Sequence, residues 1–136
     1  MLEQISIFAE NTKGAMQKMT QILLEENINI LGSVTHDGAE YGTVRMIVSD
    51  TDKAYNAFRK AGYLCRKTEV LGIQIEDKVG EMNKLLLAIA ETNVSVDYVY
   101  LTFDRESAKP VLIIRLNDIM EVEESLINKG FRSLSA

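Results

Sequence analysis

The residues with the clearest chemical use are two matching stretches, Asn11-Thr12-Lys13-Gly14-Ala15-Met16 and Asp77-Lys78-Val79-Gly80-Glu81-Met82. Each follows an acid, Glu10 or Glu76, that closes a strand-like run, and each leads into an apolar helical period. A glycine there lets the backbone turn tightly and lets a ligand approach the main chain, because it has no Cβ. Asn11 and Asp77 are good turn formers and near-caps. The first amides of a helix have no internal partner and carry the positive end of its dipole, so the junction suits a carboxylate. A ligand that also carries an ammonium group needs acceptors. Asn29, Ser95 and Asp97, or carbonyls of a sheet edge, can supply them. The chemistry on offer is the holding of a small zwitterion. A glycine at a strand-to-helix turn is also ordinary geometry, and duplication copies scaffold as readily as function.

Bond-making chemistry has little support. Cys65 is alone in a strand-like run and reads as a small apolar filler, and it allows neither an internal disulfide nor a cysteine metal cluster. His36 is the single histidine, next to Asp37 at a turn, with no nucleophile at a suggestive spacing. No enzyme activity, cofactor or metal is expected. The net charge of −5, without a basic run, argues against nucleic acid as a partner. No apolar run approaches the roughly 18–20 residues that cross a membrane, and the N-terminus lacks the pattern of a signal peptide. A cytoplasmic protein is expected.

The matching turns belong to a longer repeat. "NTKGAMQKMTQILLEENINI" (11–30) aligns with "DKVGEMNKLLLAIAETNVSV" (77–96). Further on, "RMIVSD" (45–50) parallels "IIRLND" (113–118), and "KAGY" (60–63) parallels "NKGF" (128–131). The later matches shift by two residues, an insertion assigned to the polar loop "DRESAKP". Two units result, 1–67 and 68–136. In the first, strands are expected at 4–10, 28–36, 43–50 and 63–69, with helices at 14–26 and 51–62 and a hairpin signal at Asp37-Gly38. In the second, strands fall near 70–76, 96–103, 110–117 and 131–135, with helices near 80–92 and 119–129.

The order β-α-β-β-α-β, with right-handed crossovers, gives a ferredoxin-like unit with both helices on one face of a four-stranded sheet. The fold class is α+β: two tandem ferredoxin-like units side by side, forming an eight-stranded antiparallel sheet with helices on one face. A unit of this size is marginal alone, and pairing edge strands relieves that. In "VLIIRLN" (111–117) consecutive apolar residues read as buried on both faces. Helices cover one face, so a second copy is expected to cover the other, making a homodimer.

The halves resemble ACT domains, small-molecule regulatory modules of amino-acid metabolism. That family enters its first helix through a D-x-P-G-x-L-like stretch, here "NTKGAM" and "DKVGEM", and leaves it through g-I-N-I or i-S-V-D, here "ENINI" and "TNVSVD". The second is similar to effector-binding repeats of aspartate kinases. The family proline is Lys13 or Val79 here, and Asn11 replaces the aspartate in the first copy. The resemblance implies that second strands, about 29–35 and 95–101, lie adjacent. It also implies effector sites between the first loop of one domain and the second strand of the other. Asn11–Met16 would face Ser95, Val96 and Asp97, and Asp77–Met82 would face Asn29, Ile30 and Leu31. Amides near Gly14 or Gly80 would meet the carboxylate of an amino acid effector. Asp97 would pair with its ammonium, a role closed to its counterpart Leu31. Two unequal sites are expected, in a regulatory protein acting on its own assembly or on a separate metabolic enzyme. A detached regulatory subunit, of the acetolactate synthase or aspartate kinase type, and a purely structural module are the alternatives.

Overall fold

A computed structural model describes residues 1–36 and 41–135; the hairpin signal at Asp37-Gly38 lies outside them. The chain divides into two compact units, Glu3–Thr68 and Met1–Leu2 with Glu69–Ala136, called here the first and the second.

The first unit contains β1 (Leu2–Glu10), α1 (Ala15–Glu25), β2 (Ile30–His36), β3 (Tyr41–Val48), α2 (Thr51–Lys60) and the start of β4 (Leu64–Gln74). Its strands lie in the order β2-β3-β1-β4. The second unit takes over the same β4 and adds α3 (Glu81–Ala90), β5 (Val96–Phe103), β6 (Pro110–Leu116), α4 (Ile119–Asn128) and β7 (Arg132–Ser133). Its order is β7-β4-β6-β5. Both are the ferredoxin-like order.

Each helix buries a pair of residues four apart: Met19 and Leu23, Ala54 and Phe58, Leu85 and Ile89, Val122 and Leu126. This spacing puts both side chains of each pair on one face. They meet alternate strand residues at equivalent places in the repeat. In the first unit these are Ile5, Ile7, Val44, Met46 and Val48. In the second they are Leu71, Ile73, Leu112, Ile114 and Leu116. The α2 N-terminus is capped by Asp50, whose carboxylate accepts from the Lys53 amide at 3.1 Å.

Two expectations need correction. The strands expected at 63–69 and 70–76 are one strand, β4, so the described residues form seven strands where eight were expected. No glycine, proline or asparagine interrupts the chain from Tyr63 to Leu71, and without a breaker the extended backbone continues. The second strands, moreover, are not ladder neighbours: β2 pairs with β3 and β5 with β6, and each ends the order.

The both-face reading of β6 holds, but its expected cause does not. Leu112 is fully buried and Val111 and Ile113 are each 1% exposed within the single chain. No second copy is needed to cover them. An exposed apolar stripe lies on β5, where Val99, Leu101 and Phe103 are 36%, 47% and 54% exposed. Val99 and Leu101 stand opposite Ile114 and Leu112 in register. They therefore share the helix-side face of the sheet while remaining open to solvent.

Candidate functional site

The two glycine turns are built by the same three main-chain hydrogen bonds. In the first unit the Thr12 amide donates to the Glu10 carbonyl (2.9 Å), Ala15 to Thr12 (3.2 Å) and Lys18 to Gly14 (3.1 Å). In the second, Lys78 donates to Glu76 (3.0 Å), Glu81 to Lys78 (3.3 Å) and Lys84 to Gly80 (2.9 Å). The N-cap falls on the glycines, not on Asn11 or Asp77. Gly14 has φ 81° and Gly80 φ 90°, and neither helix start receives a side-chain cap. A side chain is disfavoured there by about 1–2 kcal/mol from backbone conformation alone. A Cβ at either position would meet open space, so the approach to the main chain is unobstructed.

The turns differ in charge. The first turn of α1 has no acid, whereas that of α3 carries Glu81. Glu81 thus adds at the start of α3 a negative charge that the start of α1 lacks, which disfavours an anion at the Gly80 turn. Asn11, Thr12, Lys13 and Met16 are exposed, as are Asp77, Lys78 and Val79, and Ala15 is half-buried. Met16 thus faces solvent, while Met82 packs against the core of its unit. Core packing describes the second methionine and not the first.

The second turn is braced from the β5–β6 connection. The Ile75 amide donates to the Pro110 carbonyl (3.0 Å), and the Lys109 ammonium donates to Glu76 at 2.9 Å. Lys109 holds the Glu76 carboxyl below the usual carboxylate range, by its hydrogen bond first and its charge second. A depressed folded value means that the bridge is intact above the ordinary carboxyl pKa and is lost as pH falls through the lower one. In an NMR titration, Lys109→Met should therefore move the Glu76 midpoint upward. An unmoved midpoint would show that Lys109 does not set it.

The second strands hold a feature that the sequence did not signal. In β2, Ile30 pairs with Val48 and Gly32 with Ile47; in β5, Val96 pairs with Leu116 and Tyr98 with Arg115. Each strand has a bulge, and the extra residues are Leu31 and Asp97, equivalent positions in the repeat. Bulges re-aim a side chain and are frequent beside binding sites. Asp97 and Ser95 are exposed, whereas Ile30, Leu31 and Val96 are half-buried. The Asn29 main chain is engaged with Ser49, donating to its hydroxyl (2.9 Å) and accepting from its amide (3.0 Å). A bulge depends on the partner strand's register, so no residue type announces it.

Neither unit brings its own turn and bulge together. Helix α3 separates Gly80 from Ser95–Asp97, and α1 separates Gly14 from Asn29–Leu31. Helices of ten and eleven residues run about 15 Å. Elsewhere, burial pushes the Cys65 thiol up despite nearby Arg59, which disfavours the thiolate. His36 is exposed at the end of β2. Among the described residues no group of His, Cys, Asp and Glu could hold a metal, and no helix is long and apolar enough to cross a membrane.

Residues 1–135 match the family described as an ACT domain pair. The chain belongs to that family. Among solved structures, this ACT pair is similar to a protein of Bacteroides thetaiotaomicron, with 31% identity and a TM-score of 0.90 over 98% of this chain and 91% of that one. It is similar in fold to the ligand-free regulatory subunit of aspartate kinase from Thermus thermophilus, with 12% identity and a TM-score of 0.68 over 94% and 92% of the chains. The regulatory subunit of aspartate kinase from Thermus flavus gives 15% identity and a TM-score of 0.65 over 93% and 90%. No curated protein matches the chain. The duplicated turns and bulges are thus features of two ACT units.

Proposed function

We propose that this ACT pair is a non-catalytic regulatory protein that binds an amino acid effector. The observation that carries the reading is the duplicated, uncapped glycine turn, matched by a duplicated bulge whose extra residue is Asp97 in one copy and Leu31 in the other. Amides following Gly14 suit a carboxylate, with Asn11, Thr12, Lys13, Ala15 and Met16 around them, and the exposed Asp97, flanked by Ser95 and Val96, suits an ammonium. The Gly80 turn is the weaker acceptor because Glu81 opposes an anion there. Its companions Asn29, Ile30 and Leu31 offer the ammonium no carboxylate.

Regulation follows if the ligand binds one state of the chain, or of a partner enzyme, more tightly than another. The similarity in fold to aspartate kinase regulatory subunits of nearly the same length supports a version in which the partner is a separate catalytic chain. Co-purification of such a chain tests that version. The exposed Val99, Leu101 and Phe103 ladder on a terminal strand supports assembly with a second copy.

The deciding measurement is a thermal-shift screen of ligand-free protein with the twenty amino acids. A ligand at a hundred times its Kd stabilises the folded chain by about 2.7 kcal/mol, which raises Tm by several degrees. One strong site per chain is expected. No shift with any amino acid would sink the proposal and leave the structural-module reading.

A further inference from the structure

A second, differently charged recess lies within the second unit. It is an open notch of about 190 Å³ lined by Glu76, Glu81, Lys84, Lys129, Phe131 and Arg132, with the Gly130 turn at its wall. Two of its charges are committed elsewhere. Glu76 is bridged to Lys109 at 2.9 Å. The Lys129 ammonium is bonded to Glu91 at 2.7 Å and to the Ala88 carbonyl at 3.2 Å. Lys84, Arg132 and Glu81 form no ion pair among the described residues. The Lys84 ammonium instead lies over the Phe131 ring, 6.0 Å from its centroid, which holds it at the notch without neutralising it. Arg132 also acts on Asp104, whose carboxylate is already held by the Ser107 hydroxyl at 2.7 Å. The notch therefore presents two cations and one carboxylate to an incoming molecule.

The first copy of the repeat is an internal control. Gly62 and Gly130 share the same left-handed turn, with φ 93° and 94°. Around it, Ala15 stands where the second copy has Glu81, Ala61 where it has Lys129, and Leu64 where it has Arg132. Lys18 and Tyr63 correspond to Lys84 and Phe131. The fold thus forms without the added charges, so folding alone does not explain them.

We propose that this notch binds a small acidic amino acid, whose two carboxylates meet Lys84 and Arg132 and whose ammonium meets Glu81. The site draws on neither Gly14 nor Asp97, so it stands apart from the stronger effector site proposed above, and it shares only Glu81 with the weaker Gly80 turn. The test is NMR of the full chain titrated with L-glutamate. The amides of Lys84, Gly130, Phe131 and Arg132 should shift saturably, with a Kd of about 1 mM. Arg132→Leu, which installs the residue of the first copy, should weaken binding about tenfold or more, and Asp97→Ala should leave it unchanged. L-glutamine and glutarate, each lacking one charged group, should bind about tenfold more weakly. If Arg132→Leu does not fold, Glu81→Ala serves instead, and should weaken L-glutamate without weakening glutarate. Absence of shifts at about 10 mM L-glutamate, ten times that Kd, would overturn the proposal. So would shifts that survive Arg132→Leu, or glutarate binding as tightly as L-glutamate.

Discussion

Asp97→Ala is expected to weaken effector binding about 30-fold or more, while Leu31→Ala changes it by no more than a few-fold. Asp97 is exposed in the free chain; once a ligand covers it, removing one partner of the desolvated pair costs about 2–5 kcal/mol, much of it from stranding the other charge. Leu31 has no charge to withdraw. The two residues occupy the same bulge position in the two copies, so the comparison controls for local backbone. Isothermal titration with whichever amino acid gives the largest thermal shift measures both variants. Equal losses at the two positions would mean that the sites are equivalent and that Asp97 does not bind the ammonium. The double variant of Asp97→Ala with Gly14→Ala extends the test. If one ligand touches both groups, their effects will not add.

The second large effect is on stability. Ile113→Asp should unfold the chain, with a loss above about 4 kcal/mol, because an unpaired carboxylate would have to enter a buried position. Ile113 is 1% exposed in the single chain. The loss should therefore be independent of protein concentration, with the same urea midpoint at dilute and concentrated protein. A midpoint that rises with concentration would instead show that a second copy contributes to covering this strand.

That contrast marks where sequence reading succeeded and where it stopped. The apolar run 111–114 correctly announced a strand buried on both faces, since burial follows from side-chain chemistry. What does the covering is a tertiary fact that a strand's own residues do not encode, and the single chain already buries this strand. The repeat was legible because matched glycines and helix periods survived in both copies: Gly14 with Gly80, and Met19 and Leu23 with Leu85 and Ile89. The fusion of two expected strands into β4 was hidden because the repeat assigns each copy its own strand. The absence of a turn residue between Tyr63 and Leu71 was the better signal. At the candidate site, the turns could be read from residue type, whereas the bulges at Leu31 and Asp97 could not. Register is set by the partner strand, and a bulge leaves no compositional trace.

Strand β5 ends its sheet order with Val99, Leu101 and Phe103 open to solvent, and its eight residues contain one formal charge, Asp97. An apolar terminal strand is a template for unwanted pairing with other chains, which a single charge or a bulge can deter. Asp97 supplies both. Keeping that strand soluble and recognising a cation thus place the same demand on one carboxylate, and selection for solubility alone would retain an acid in this copy even where no ligand binds.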